Sequence, residues 1–322
     1  MFKGDKALLA PLAGISDAAF RGICIEQGAY LCYTEMVSAK GLSYANEKTS
    51  RLLSLASNES FVAVQLFGHE SDVLAKQAAA IEDELGERLA YIDINMGCPA
   101  RKIVSKQDGC ALMKQPRLAH EIVSEVRKVI SCPLSVKFRR GFELNCETAP
   151  EFAHMLEDAG ASFFAIHGRY AAQLFSGKSD MSVINRVKEK TSLPIIGNGD
   201  ITCGEDAKKM IEQTGCEAVM IGRASFGNPW IFAEVKSALS GDKSAYAKPC
   251  TKEKIEMARR HAHLLSEGGR KALIRMRKHA MWYTYGFKNA SSIRLRINEC
   301  ASLEDFDKLF DELASADEQN RL

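Results

Sequence analysis

The sequence predicts an α/β protein: a closed (β/α)8 TIM barrel followed by a smaller all-helical C-terminal domain. Three observations carry this. Eight short apolar, β-branched-rich runs recur along the first 222 residues. Helical patterns separate most of them, and strand–helix alternation implies βαβ units and a parallel sheet. From about residue 240 onward only helical patterns remain. Eight units in about 230 residues suit a closed barrel better than an open doubly wound sheet. Residues 1–240 are therefore expected to form the barrel, 241–250 a linker and 251–322 the helical domain.

In chain order the expected strands are ALLAPL (7–12), LCYTEM (31–36), FVAVQLF (61–67), AYIDIN (90–95), PLSVKF (133–138), SFFAIH (162–167), LPIIGN (193–198) and AVMIGR (218–223). The clearest intervening helices are SDVLAKQAAAIEDEL and PRLAHEIVSEVRKVI, with apolar residues three or four apart. The second opens on Pro116, whose fixed φ suits a first helical turn. SGDKSAYAKPC reads as a polar linker. After it come TKEKIEMARRHAHLLSE, RKALIRMRKHAMWYTYG, ASSIRLRINEC and SLEDFDKLFDELAS, punctuated by Gly268, Gly269 and Gly286 as helix ends.

Composition narrows the function classes. With 46% apolar and 26% charged residues the chain is expected to be a globular protein with a sizeable core. No apolar run approaches the roughly 20 residues needed to span a bilayer. The N-terminal stretch has no signal-peptide pattern, so a cytoplasmic location without membrane attachment is expected. Ten scattered cysteines without a CxxC read as reduced thiols. Net charge is only +2, yet residues 251–300 hold 12 Lys or Arg against 4 Glu, while 301–322 hold 2 basic against 7 acidic residues. A nearly neutral body joined to a basic helical segment suggests a polyanionic partner.

The informative feature is what stands at the strand ends. Every one of the eight closes on residues that a barrel core would not choose: Pro11, Leu12, Ala13 and Gly14; Glu35; Gln65; Asn95 with Cys98; Lys137 with Arg139; His167 with Arg169; Asn198, Gly199 and Asp200; Gly222 with Arg223. Barrel enzymes carry their sites on the loops after the strands, so eight of eight amount to an active site. NGDI and GRASFGNP follow the last two strands, the usual place for a phosphate grip: glycines admit backbone N–H groups to an anion and Arg223 adds a charged fork. Lys137 interrupts an apolar strand and must reach a polar mouth or an anionic partner, because burying it unpaired costs several kcal/mol. Cys98 sits at a strand mouth rather than inside the strand, as a thiol used for chemistry would.

Read together and in order, APLAGISDAAFR, QLFGH, DINMGCPARKIVSKQDGCALM, VKFRRG, FFAIHGR, IIGNGDI and GRASFGNPWIF resemble the tRNA-dihydrouridine synthase family, and RMRKHAMWYTYG extends the resemblance into the helical segment. PWIF leans towards the bacterial B-type branch. The resemblance implies an FMN-dependent oxidoreductase that reduces specific uridines in tRNA to 5,6-dihydrouridine with NADPH. It places Pro11, Leu12 and Ala13 along the flavin ring, Gln65 and Lys137 at its polar edge, and His167, Asn198, Gly199, Asp200, Gly222 and Arg223 on the ribityl chain and phosphate. Asn95, Lys137 and Arg139 face the uracil, and Cys98 is the proton donor. Small departures are Leu12 for the common Met of APMAG, Cys110 for the Ser of GSALM, and Tyr170 after HGR.

The chemistry also follows from the reaction. Reducing an isolated C5=C6 bond needs hydride at one carbon and a proton at the other, from a group placed across the base. A neutral thiol with an ordinary pKa of about 8.5 is protonated at neutral pH and able to donate. A uridine inside folded tRNA must be flipped out to reach a barrel mouth, which gives the basic segment a task. Arg275, Arg277, Lys278, Arg294 and Arg296 are the candidate phosphate grips, and Trp282, Tyr283 and Tyr285 are read first as packing residues. Two other readings stay open on sequence alone: an FMN barrel oxidoreductase acting on a small molecule, like a dihydroorotate dehydrogenase, and a non-catalytic tRNA-binding module. Neither a metal site nor an obligatory protein partner is read from the sequence.

Overall fold

The computed structural model describes residues 6–288 and 290–319. Among these residues nine parallel strands form one sheet: β1 (Ala7–Leu9), β2 (Leu31–Cys32), β3 (Val37–Ser38), β4 (Val62–Phe67), β5 (Leu89–Met96), β6 (Leu134–Gly141), β7 (Phe163–Tyr170), β8 (Ile195–Asn198) and β9 (Ala218–Ile221). The hydrogen-bonded order is β2-β1-β9-β8-β7-β6-β5-β4-β3. A bridge between Tyr33 and Ala63 closes the ring, with Thr34 N donating to Ala63 O at 2.9 Å. The expected second strand is therefore one barrel position built from two short pieces. Its ladder lapses at Thr34–Met36 because side chains take over: Gln65 N donates to Thr34 Oγ1 (3.2 Å) and Glu35 accepts from Gly14 N. The expected fifth and sixth strands, β6 and β7, run to residues 141 and 170, beyond their expected ends at 138 and 167.

Helices cover the outside. Ser71–Leu85 and Pro116–Val129 lie where the apolar spacing puts them and bury Leu74, Ala78 and Ile81, and Ile122, Val123 and Val126, against the sheet. Inside, the floor of the barrel is an apolar plug of Leu8, Tyr33, Ala63, Tyr91, Phe163 and Met220. Tyr91 meets Tyr33 and Phe163 edge-on, with centroids 5.6 and 4.7 Å apart, a favoured aromatic geometry. The interior above this floor turns polar, and that is where the site begins.

Beyond Thr251 the chain is helical: Thr251–Glu267, Arg270–Leu273, Met276–Tyr283, Ala290–Glu299 and Leu303–Gln319. The expected single helix RKALIRMRKHAMWYTYG is thus broken between Leu273 and Met276. These helices share their own apolar cluster, including Ile255, Ala262, Met276, Ile297, Phe306 and Phe310. They also touch the barrel at defined points. Phe20 stacks on His261 at 5.6 Å, Arg260 pairs with Glu26, and Trp282 stacks on Phe226 at 4.3 Å. Among the described residues no helix is long and apolar enough to cross a membrane, and no group of three or more His, Cys, Asp or Glu side chains is placed to hold a metal ion.

One buried ion pair ties the first helix to the segment that precedes β4. Arg21 donates to both oxygens of Glu59 at 2.8 and 2.9 Å, to Ser16 O at 2.9 Å and to Ser54 O at 2.6 Å, with both side chains out of solvent. Removing one partner of such a pair leaves a buried charge uncompensated. Glu59→Gln should lower unfolding free energy by roughly 3–5 kcal/mol, read as a shift in urea midpoint at unchanged m-value.

Candidate active site

A cavity of about 640 Å³ opens at the C-terminal mouth of the barrel. The sequence-predicted residues Pro11, Leu12, Ala13, Gln65, Asn95, Cys98, Lys137, Arg139, His167, Asn198, Gly199, Asp200, Gly222 and Arg223 all stand on its wall. Strand periodicity is the reason. In a parallel ladder every second side chain points inward, and the register pairs Gln65 with Asp93, Asp93 with Ser135, Asn95 with Lys137, and His167 with both Arg139 and Asn198. Successive inward layers therefore carry the polar residues upward to the mouth.

Cys98 sits in the loop directly after β5. Asn95 shapes that loop as an Asx turn: its Oδ1 accepts from the N–H of Gly97 (3.1 Å) and Cys98 (2.9 Å). Arg139 clamps it from the neighbouring strand, Nε donating to Gly97 O at 2.8 Å, while Nη1 holds Tyr170 O and Leu174 O at 3.1 and 2.9 Å. Cys110 N closes the loop on Cys98 O at 3.1 Å. The thiol is half-buried, and burial raises its pKa from the ordinary value against the Ala100 N–H and the Arg139 and Lys137 charges. It is a protonated thiol at neutral pH, held at a fixed place on the cavity wall.

Lys137 donates to Asn198 Oδ1 at 3.0 Å. Burial first, and then Arg139, lower its pKa to about 8, with Asp93 pulling the other way. Asn198 is fixed in turn by donating to Met220 O at 2.8 Å. His167 is buried, and its Nε2 accepts from Arg169 Nη1 at 3.3 Å, which leaves the proton on Nδ1. Burial and the neighbouring cations keep it neutral, well below the usual histidine range. The far wall ends in the two glycine loops. Asp200 ties them: it pairs with Arg169 at 2.7 Å, accepts from Ser179 N at 2.7 Å and meets Arg223 Nη2 at 3.4 Å.

The two loop glycines differ. At Gly199, φ is +123°, and a Cβ would collide with Ser179 Oγ and come within 2.8 Å of His167 Cδ2, so the fold itself demands glycine there. At Gly222 a Cβ would meet only Ala10 and Leu12 carbons, both at 3.9 Å. Protein packing leaves that space free, and the half-exposed Arg223 guanidinium stands beside it.

Several placements differ from the sequence expectation. Gln65 is fully buried, bonded to Asn95 Nδ2 (2.7 Å) and Asp93 Oδ2 (2.6 Å), so it supports Asn95 from below. Asn95 commits Oδ1 to the Cys98 loop and Nδ2 to Gln65, and Arg139 commits Nε to that loop and Nη1 to Tyr170 O and Leu174 O. In the helical segment Arg275 reaches Glu35 at 3.0 Å and Asp17 at 3.5 Å, Arg277 donates to Cys300 O at 2.8 Å, and Arg296 pairs with Glu312 at 2.6 Å. Lys278 Nζ lies 3.9 Å from where a Gly14 Cβ would be, at the barrel mouth. Arg294 is exposed. Of the aromatics, Tyr283 is buried and Tyr285 is 82% exposed.

Three features escaped the sequence reading. Asp93 is a fully buried carboxylate under the site, detectable as the inward residue two before Asn95. Phe175 is 55% exposed on the cavity lip, flanked by the Arg139 and Arg223 guanidinium groups at 5.6 and 5.2 Å; nothing in its local sequence marks it. Arg101, Lys102 and Lys106 follow Cys98 with exposed side chains and no ion pair among the described residues; their sequence signal is the basic run ARKIVSK.

With this geometry in hand, comparison with known proteins is specific. The dihydrouridine synthase family model matches residues 8–319. A tRNA-dihydrouridine synthase B from Pasteurella multocida is 38% identical over 296 residues, covering 91% of this chain and 88% of that protein. One from Pseudomonas aeruginosa is 35% identical over 311 residues, covering 94% and 92%. One from Vibrio parahaemolyticus is 34% identical over 321 residues, covering 97% of each. These matches run through both the barrel and the helical segment, and they set aside the small-molecule dehydrogenase and the non-catalytic module. The chain therefore belongs to the dihydrouridine synthase family, with a lean to its bacterial B type, and is an oxidoreductase that reduces uridine in tRNA to dihydrouridine.

Proposed function

We propose that the barrel-mouth cavity binds FMN, that NADPH is the external reductant, and that Cys98 protonates the uracil ring. The observation that carries the reading is the convergence of a positioned, protonated thiol, a half-buried lysine and a glycine cradle on one cavity. The residues fit the group. Pro11, Leu12, Ala13 and Met220 offer an apolar wall to a planar ring system. At the other end the open Cβ position of Gly222, the backbone of Gly199 and the Arg223 fork suit a phosphate. Asp200 acts through Arg169 and Arg223 rather than on the phosphate itself, since a carboxylate would repel it. When bound, FMN supplies the hydride.

The protein's own residues do the remainder. Lys137, held by Asn198, brings positive charge to the cavity and stabilises negative charge developing on a substrate or cofactor carbonyl. Neutral His167 offers its Nδ1–H as a donor to the cofactor. The Asx turn at Asn95 and the Arg139 clamp hold the thiol where an everted base would enter. Phe175 presents an aromatic face to that base or its neighbour. Residues 1–240 serve as the catalytic domain, 241–250 as a linker and 251–322 as a helical tRNA-binding domain; residues 1–5, 289 and 320–322 lie outside the described residues. Lys278, Arg294 and Arg296 grip tRNA from the helical side, while Arg275 and Arg277 position that side. Arg101, Lys102 and Lys106 complete the basic track on the barrel side. The reaction belongs in the cytoplasm, where tRNA and NADPH are both present.

Cys98→Ala should retain yellow, FMN-loaded protein yet form dihydrouridine at least about a hundredfold more slowly, measured by mass spectrometry of tRNA; full activity would remove Cys98 from its role. Gly199→Ala should cost more than about 1 kcal/mol of apo-protein stability. Gly222→Ala should leave apo stability unchanged within about 0.5 kcal/mol while weakening FMN binding, and thermal melts with and without FMN separate the two. Reversing charge at Arg101, Lys102 and Lys106 should flatten the slope of log K against log salt for tRNA by up to about 2–3, with FMN content unaffected; an unchanged slope would take these cations out of the interface.

A further inference from the structure

We infer that Asp93 is a positioning residue that sets the Cys98 loop through two side-chain amides, an inference that rests on Cys98 being the proton donor. The ladder puts Gln65, Asp93 and Ser135 side by side on β4, β5 and β6, one inward layer beneath Asn95. Asp93 is fully buried, and its carboxylate accepts from Gln65 Nε2 at 2.6 Å and from Ser135 Oγ. An ionised carboxylate only accepts hydrogen bonds, so it dictates which end of the Gln65 amide faces it. Gln65 Oε1 is thereby turned towards Asn95 and accepts from Nδ2 at 2.7 Å. Asn95 is left with Oδ1 facing the loop, where it accepts from Gly97 N and Cys98 N.

The sequence of donors and acceptors runs in one sense from a buried anion to the catalytic thiol's own backbone. Reversing either amide sets donor against donor at the next junction, and an unsatisfied buried polar group costs about 1–3 kcal/mol. The charged and titratable groups that act on Asp93 are Lys137 on β6, which favours its ionised form, and the buried phenols of Tyr33 and Tyr91 below it. Burial brings the Asp93 pKa up to about 6, against the Gln65 and Ser135 hydrogen bonds and Lys137, so the carboxylate is ionised at neutral pH.

The test uses the FMN-loaded enzyme and two readouts: kcat for tRNA, and the rate at which iodoacetamide alkylates Cys98, followed on its peptide by mass spectrometry. Asp93→Asn offers Gln65 either end of an amide and removes the obligate acceptor. It should alkylate about fivefold faster at Cys98 and lose about fivefold in kcat, with KM for tRNA unchanged. Combining Asp93→Asn with Gln65→Glu restores an obligate acceptor against Asn95 Nδ2 at the same total charge, and alkylation should return to within about twofold of wild type. Wild-type alkylation in the single variant overturns the inference, as does a double variant no slower to alkylate than the single. If the single variant fails to fold, the double decides alone: wild-type alkylation supports the relay, and rapid alkylation or failure to fold overturns it. Alkylation needs no turnover, so these outcomes are independent of whether Cys98→Ala abolishes product.

Discussion

Parallel pairing is the constraint from which this site is built. A strand in a closed barrel has two faces, and once the outward face is committed to the helices, every second residue must point into the ring. The tyrosine-rich floor fills the lower interior. The next inward positions on β4, β5 and β6 carry Gln65, Asp93 and Ser135, and those above carry Asn95 and Lys137. A slip of one residue in β5 would send Asp93 and Asn95 out among the helix-facing apolar groups and turn Ile92 and Ile94 inward. The site is inseparable from the register that also secures the core.

Such an interior is costly unless its polar groups are satisfied. Here Asp93 accepts from two side chains, Lys137 donates to Asn198, and Arg139 donates to three backbone carbonyls. Burial still depresses the pKa of Lys137 to about 8 and that of Arg139 to about 10. Both remain cationic at neutral pH, so the mouth stays positive around a neutral thiol. That polarity welcomes anionic groups and developing negative charge alike. It also limits the electrostatic burden of one buried carboxylate, which has Lys137 as a countercharge.

Much of this was legible in the chain. Eight strand signals in regular alternation specified the barrel, and residues at their ends marked the cavity, because apolar periodicity and its violations are local properties. What the sequence could not convey were choices made across the fold. The second strand broke because Thr34 and Glu35 found side-chain partners on β4 and at Gly14. Arg275 looked like a free phosphate grip, but folding brings Glu35, 240 residues away, within 3.0 Å of it. Asn95 looked like a base-reading amide, yet its carbonyl is turned to the two N–H groups that follow it. In each case the residue type was informative and its partner was not.

The contact between Gly227 and the helix Met276–Tyr283 has a bearing on how the enzyme can be dissected. Gly227, at φ +62°, lets the loop after β9 approach so closely that a Cβ would sit 2.5 Å from Tyr283 N, and Phe226 lies against Trp282 beside it. The cavity wall at Arg223 and Phe226 is thus braced from outside the barrel, by a segment that follows it in the chain. A protein cut near residue 250 would keep every described strand and every cavity-lining side chain, yet surrender the buttress behind Arg223 and Phe226. Swapping helical segments between relatives therefore carries a hidden demand: the graft must bring a surface that seats this same loop.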